Sequence, residues 1–264
     1  MGEKRSRVSI VIPAHNEEKR IGKTLEHYIS YFKNLKRKSF FDFEIIVVLN
    51  NCSDNTRGIV EMRMSNEIKI LDFEQGGKGF AIIEGFKEAL KSNSDLIGFV
   101  DADMATPPNA FHGLMRNMGN SDGIIADRWD SRSRIKPKQT LARKITSNGY
   151  NLIIRSLFLF PFHDTQCGAK LFKKHILEKN IHKIVSSQWN FDVALLFCLR
   201  KESNAKIKAI PTEWSDQIGS KINLRSAPVK MLFSAIRLRM IHSPFRDFVR
   251  IYRRLPENLK FHYF

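Results

Sequence analysis

Apolar positions fall into two alternating patterns along the first 130 residues. Short continuous apolar runs at 8–12, 43–49, 68–73, 96–100 and 123–126 read as five buried strands. Between them the spacing changes. Ile21, Leu25, Tyr28, Phe32 and Leu35 recur at three- and four-residue steps, which predicts a helix over 17–35. Ser53-Asp54 predicts an N-cap for a helix running through about Met64. Ile82, Phe86 and Leu90 stand four apart and predict a third helix. Strand–helix alternation of this kind predicts an α/β fold, a mostly parallel sheet with helices on both faces. Ligands in such sheets gather at the carboxyl ends of the strands.

After Asp127 the pattern changes. Residues 128–138 form a polar, basic loop, 141–158 read as a helix, and 158–162 as an aromatic turn broken at Pro161. That turn is either core or a cradle for a lipid chain. Residues 188–199 look helical and 207–214 extended. Beyond Pro244, Phe245, Phe248, Val249, Tyr252 and Leu255 share one helical face, with Arg246, Arg250 and Arg253 on another. A basic amphipathic helix of this kind lies in a membrane interface or docks on its own domain. With no repeat and no low-complexity linker, the chain reads as one domain over 1–225 with a basic C-terminal extension over 226–264.

Composition narrows the classes. Hydrophobic content of 42% and 20 Phe argue for a globular chain. The longest apolar run, about seven residues at 193–199, is far below the roughly 18 needed to span a bilayer. The first residues hold no apolar leader, and Cys52, Cys167 and Cys198 fit neither a disulfide framework nor a zinc spacing. A cytoplasmic chain is expected. Net charge is +17, and nine Lys/Arg against two acids fall in 225–264. The partner expected is polyanionic: a phosphorylated substrate, an anionic membrane surface or nucleic acid. The chain holds no nucleic-acid-binding motif, so nucleic acid is set aside.

Chemistry concentrates where the strands end. Asp101-Ala102-Asp103 closes an apolar run, and positions i and i+2 of a strand point the same way. Such carboxylates can curl around a hard cation, Mg²⁺ or Mn²⁺, together with substrate phosphates. Gly76-Gly77-Lys78-Gly79 before a helix offers an anion nest, or a plain turn; it lacks the spacing of a Walker motif. Pro13-Ala14-His15-Asn16-Glu17 is either a turn capped by Asn16 or a nucleoside-receiving loop. His15 reads as a loop residue, and Trp189 and Trp214 as packing residues.

Taken in order, these pieces resemble the inverting, nucleotide-sugar-dependent glycosyltransferases of the GT-A (Rossmann-like) fold, family 2 type. Within them the dolichyl-phosphate glucose and mannose synthases are most similar. The resemblance runs from Val8 to about Arg239. It rests on Ile12-Pro13-Ala14-His15-Asn16-Glu17, Gly77-Lys78-Gly79-Phe80-Ala81 and Asp101-Ala102-Asp103. Further on it rests on Arg128, Asp164-Thr165-Gln166-Cys167-Gly168-Ala169-Lys170-Leu171-Phe172, Trp189-Asn190-Phe191-Asp192-Val193, and Trp214 through Gly219-Ser220-Lys221.

The resemblance implies roles. Pro13, Ala14 and Glu17 would line the nucleoside pocket with Asn50 and Asp54 nearby, and Lys78 would sit near the donor. Asp101 and Asp103 would hold Mg²⁺ or Mn²⁺ on the donor diphosphate. Arg128 would face phosphates or acceptor, Asp164 and Gln166 would stand by the reacting sugar, and Ser220 and Lys221 would belong to a closing loop. The pattern is broken at Asn50, where relatives carry an aspartate pair with the preceding residue, and at Ala194, which replaces a glutamate. It is also broken at Asp127, which replaces a serine, and at Ala105, a glutamine in mannosyl members.

The expected reaction moves a hexose, with UDP-glucose favoured over GDP-mannose, to a polyprenyl (dolichyl) phosphate at the cytoplasmic face of a membrane. An ionised phosphate acceptor dispenses with a strong base. A same-fold transferase with a hydroxyl acceptor would need one, and Asp164 or Asp192 is then the candidate.

Overall fold

The computed structural model describes residues 6–39, 41–137, 141–184, 190–215 and 227–243. Its centre is a seven-stranded sheet. In chain order the strands are β1 (Ser6–Ala14), β2 (Phe41–Asn50), β3 (Ile68–Phe73), β4 (Leu96–Val100), β5 (Gly123–Asp127), β7 (Ala169–Lys173) and β8 (Ile207–Pro211). They lie side by side as β3-β2-β1-β4-β7-β5-β8. All pairings are parallel except those of β7, which runs antiparallel to both β4 and β5. A second, two-stranded sheet pairs β6 (Arg134–Lys136) with β9 (Glu213–Ser215).

The strands are apolar on both faces because helices cover both. Along β1 and β2, Val11, Ile46 and Val48 face one cluster and Ile10, Ile12, Ile45 and Val47 the other, as the two-residue period requires. The first cluster is closed by α3 (Lys78–Leu90), α5 (Leu141–Phe158), α6 (Lys174–Asn180), α7 (Phe191–Ser203) and α8 (Ala227–Ile241). The second is closed by α1 (Ile21–Lys38), α2 (Thr56–Glu61) and α4 (Pro108–Arg116). The α1 stripe works as its spacing predicts: Ile21, Leu25, Tyr28 and Phe32 are fully buried. Fully burying a side chain of this size contributes about 1.5–3 kcal/mol.

Several elements differ from the expectation. Helix α1 starts at Ile21 because Glu17 first forms a turn, accepting from the Arg20 and Ile21 amides through its carbonyl. Helix α2 stops at Glu61, and its N-cap is Asn55; Asp54 instead accepts from the Thr56 amide at 3.0 Å, an Asx turn one residue earlier. Strand β7 was not among the five expected, nor was β6, which lies inside the predicted basic loop. The helix at 141–158 is as expected, and the one expected at 188–199 is observed at Phe191–Ser203. The aromatic turn is core: Phe158, Phe160 and Phe162 are buried, although Leu159 is not. Trp214 packs in the second cluster.

Helix α8 belongs by number to the extension read from the sequence. It packs against α5, burying Ala235 and Leu238, and the Met231 carbonyl accepts from the Asn190 amide. The basic amphipathic segment beyond Pro244 lies outside the described residues. So do Trp189, Ser220 and Lys221.

Candidate active site

The reversal of β7 assembles the site. Strands β1, β2 and β4 end together, and Ala169 of β7 pairs with Val100 of β4. The segment 164–168 therefore arrives at the carboxyl end of the parallel strands, beside Asp101. A Cβ at Gly168 would fall 1.8 Å from Asp101 Oδ2, so only glycine permits this approach.

On one side lies a cleft of about 180 Å³ lined by Pro13, His15, Glu17, Asn50, Lys78, Asp101, Ala102 and Asp103. A larger cleft of about 770 Å³, between Arg7, Asp95, Leu96 and Lys174, sits at the opposite strand ends and holds none of the motif residues. Asn50 staples the smaller cleft together. Its amide donates to the Ala14 carbonyl at 2.8 Å, its Oδ1 accepts from the Gly77 amide at 3.1 Å, and its carbonyl pairs with His15 Nδ1 at 2.8 Å. A carboxylate there could not donate to Ala14. Gly77 turns the chain into α3 with φ +125, a conformation open to glycine.

Glu17 and Asp54 serve the walls of this cleft. Glu17 chelates Arg20 through two bonds of 2.6 Å. Asp54 accepts from Thr56 and from the Glu18 amide. Partial burial opposes its charge, yet these hydrogen bonds prevail and its pKa lies below the usual value.

Lys78 and the two aspartates carry the charge. Lys78 Nζ stands 2.5 Å from Asp101 Oδ1. Desolvation opposes its charge, but Asp101, Asp192 and Asp103 outweigh it and raise its pKa. Asp103 is held by the Ala105 amide at 3.0 Å, with Met104 at φ +64 turning the chain between them. Burial, and then the charge of Asp101, push its carboxyl above the usual range. Lys78 pairs with Asp101, while Asp103 feels Arg20 and Lys78 only at longer range, so this hard-oxygen donor set is incompletely neutralised. Among the described residues no third His, Cys, Asp or Glu joins them. Donor chemistry and charge fit Mg²⁺ or Mn²⁺, the remaining ligands coming from phosphate and water.

On the other side, Asp164 and Asp192 each have a cationic partner. Asp164 is fully buried and receives Arg128 Nε at 2.6 Å and Nη2 at 3.0 Å, with the amides of Arg128, Gln166 and Cys167 at 3.1, 3.0 and 3.2 Å. Burial alone would raise its pKa; Arg128 prevails and lowers it. Arg128 lies over Trp214, 5.2 Å from the ring centre. Gln166 turns its amide toward Thr165 Oγ1 at 3.4 Å. Asp192, in the first turn of α7, accepts from Lys170 Nζ at 2.5 Å; Lys170 is fully buried, lies over Phe99 and also donates to the Cys167 carbonyl at 2.7 Å. Asp127 is buried, with its pKa raised chiefly by that burial, and His163 stands 3.7 Å away.

The structure thus brings Pro13, Glu17, Asn50, Lys78, Asp101 and Asp103 around one cleft, with Arg128, Asp164, Gln166 and Asp192 on the far side of Gly168. Ala14 contributes its carbonyl to Asn50, and Asp54 does not line the cleft but braces Thr56 and the Glu18 amide behind it. Lys170 and Gly168 were named in the sequence only as parts of a motif. A lysine flanked by Ala169 and Leu171-Phe172 is the signal that a buried partner awaits it.

This arrangement defines a class. The model of glycosyl transferase family 2 matches residues 9–181, and the chain belongs to that family. Among curated relatives, a dolichyl-phosphate beta-glucosyltransferase of Trichomonas vaginalis is 32% identical over 246 residues, 89% of this chain and 73% of that protein. Those of Dictyostelium discoideum and Homo sapiens are 29% and 28% identical, covering 88% and 81% of this chain and 73% and 69% of theirs. In fold, the chain is similar to glucosyl-3-phosphoglycerate synthase from Mycobacterium tuberculosis, solved in complex with Mg²⁺ and UDP. The TM-score is 0.63 at 14% identity, over 89% of this chain and 79% of that one. The molecule is a GT-A-type glycosyltransferase, and it is similar to the dolichyl-phosphate glucosyltransferases in particular.

Proposed function

We propose that this glycosyltransferase moves glucose from UDP-glucose to a polyprenyl (dolichyl) phosphate, with Mg²⁺ or Mn²⁺ on Asp101 and Asp103, at the cytoplasmic face of a membrane. The names of its relatives support the sugar and the acceptor. The observation that carries the acceptor class is the state of Asp164 and Asp192. Each is closed in a buried ion pair, and Asp164, whose oxygens accept from Arg128 and three backbone amides and whose pKa is lowered, is a poor proton acceptor. A phosphate acceptor arrives ionised and needs no base.

The roles of the chain's own residues follow. The cleft of Pro13, His15 and Asn50 receives the nucleoside. Lys78 swings between Asp101 and the diphosphate, adding a fixed positive charge where the leaving group forms. The bound cation, a Lewis acid, would neutralise the departing diphosphate. Arg128, oriented by Asp164 and Trp214, offers a planar fork to phosphate oxygens. In-line attack by the acceptor oxygen breaks the anomeric C–O bond and releases UDP, inverting the anomeric carbon. Ser220 and Lys221 stay assigned to the closing loop, and the 1–225 and 226–264 division to a catalytic domain and its extension.

The test is incubation with labelled UDP-glucose or GDP-mannose, a polyprenyl phosphate and Mg²⁺ or Mn²⁺. Label from UDP-glucose in the organic phase is the expected result. Label only on a water-soluble hydroxyl acceptor would overturn the lipid reading. Undiminished transfer in excess EDTA would overturn the metal assignment.

A further inference from the structure

Leu159 is placed where folding gives no reason for a leucine. It follows α5 as the residue just past the helix end, and the Phe160 amide bonds back to the Arg155 carbonyl at 3.1 Å. That is the closing bond of a Schellman motif, whose turning residue is left-handed and usually glycine or asparagine. Leu159 has φ +53, and α7 ends on Asn204 with φ +48, the residue type the conformation favours. Leu159 is also 81% exposed. Strain and exposure both count against it. An outlier that the fold does not explain points to a role outside the fold.

Its surroundings say which role. Leu152 and Ile153, 62% and 44% exposed, lie on the outside of α5 in the two turns before Leu159. Cations flank this apolar strip. Arg200 Nη1 lies 3.4 Å from the Leu159 carbonyl, and Arg239 Nε donates to the Leu157 carbonyl at 3.1 Å. Helices α5 and α8, which pack together, contain no Asp or Glu at all. An apolar strip bordered by cations and without acids matches the anionic interface of a bilayer. The other exposed apolar pair, Met62 and Met64, lies beside Glu61 and the Arg63–Glu26 ion pair, a mixed-charge setting.

The position also suits the reaction. Asn151, next to Leu152 but buried, accepts from the Thr165 amide through Oδ1 at 3.4 Å. Helix α5 therefore carries the apolar strip on its outside and the loop bearing Asp164 on its inside. We propose that this strip, Leu152, Ile153 and Leu159 with Arg200 and Arg239, docks the enzyme on an anionic lipid surface and sets Arg128 at headgroup level. The inference rests on the lipid-acceptor reading, and no helix among the described residues is long and apolar enough to cross a membrane.

The test is co-sedimentation of the full chain with vesicles of phosphatidylcholine alone, or of phosphatidylcholine with phosphatidylserine, neither containing acceptor. Binding is expected to the mixed vesicles only, and to weaken with added salt. Leu159→Gly should lower the partition about tenfold, the worth of burying one leucine side chain. It should do so with melting temperature unchanged or raised, since glycine relieves the left-handed turn. Leu152→Ser should act alike, and Met62→Ser should have no effect. Full wild-type binding by Leu159→Gly and Leu152→Ser, the result expected if residues 244–264 alone hold the membrane, would overturn the inference. So would binding lost equally in Met62→Ser. Transfer to a detergent-dispersed polyprenyl phosphate, measured in parallel, keeps the two readings separable: its failure removes the acceptor assignment, and its persistence in variants that no longer sediment isolates the docking strip.

Discussion

The two sides of the site handle charge in opposite ways. Around Asp101 and Asp103, Lys78 pairs with Asp101 alone, and the Asp103 carboxyl is pushed up. Around Asp164 and Asp192, each carboxylate owns a cation, Arg128 or Lys170, and Asp164 is pushed down. The first side is short of positive charge and waits for more. The second is finished. Groups poised to bind a cation gain from being incompletely neutralised, whereas groups that frame an acceptor gain from immobility.

Breaking the finished side should cost stability first. Lys170→Met leaves Asp192 buried without its partner, and thermal or urea unfolding should show a loss of about 3–5 kcal/mol. Lys170→Met/Asp192→Asn should recover part of it, because the two changes share one interaction. If the double variant is as unstable as the sum of the singles, the pair is not the unit described.

On the unfinished side the pattern should invert. Asp103→Ala should reduce transfer by roughly 10²–10³-fold, the cost of losing one electrostatic stabiliser at a reacting phosphate. Its melting temperature should stay level or rise, because a carboxyl with a raised pKa is destabilising once ionised. A destabilised Asp103→Ala would erase the contrast. Lys78→Met should weaken UDP binding about tenfold, the worth of one charge-assisted hydrogen bond, read by calorimetry.

The smallest and most diagnostic difference is in pH. Asp164 has a folded pKa below its ordinary 3.8, so its contribution is complete above that value and fades as pH falls through the lowered one. The stability gap between wild type and Asp164→Asn should therefore narrow in acid. Asp103 has a raised pKa, so Mn²⁺ affinity should fall on acidification while pH is still above the ordinary carboxylate value. A common midpoint for both effects would show that the two sides do not differ.

Much of this was legible in the chain because its signals are local. The period-2 and period-3.6 patterns of residues 8–126 place β1 to β5 and α1 to α3 within a few residues. The Asp101-Ala102-Asp103 and Gly77-Lys78-Gly79 motifs lie at strand and helix ends, where the topology requires ligands. What was not legible depends on partners distant in sequence. Strand β7 hides because Lys170 interrupts its apolar run, and that lysine makes sense only with Asp192 opposite. The bonds by which Asn50 joins Ala14, Gly77 and His15 depend on three separate segments, and no local pattern announces them. The pairing of Asp164 with Arg128, 36 residues apart, is likewise visible only in the fold.

Strand β7 also fixes when the enzyme can first exist. It lies between β4, complete at Val100, and β5, complete at Asp127, yet it begins only at Ala169. During synthesis the first four strands can pair, but the edge of β4 stays open for about 70 further residues, a long interval for an unpaired edge. The two sides of the site cannot meet before β7 is made, and the Lys170–Asp192 pair waits further still, for α7. A nascent chain arrested short of that point would carry the cleft of Asn50, Lys78 and Asp101 without Asp164 and Asp192 beside it.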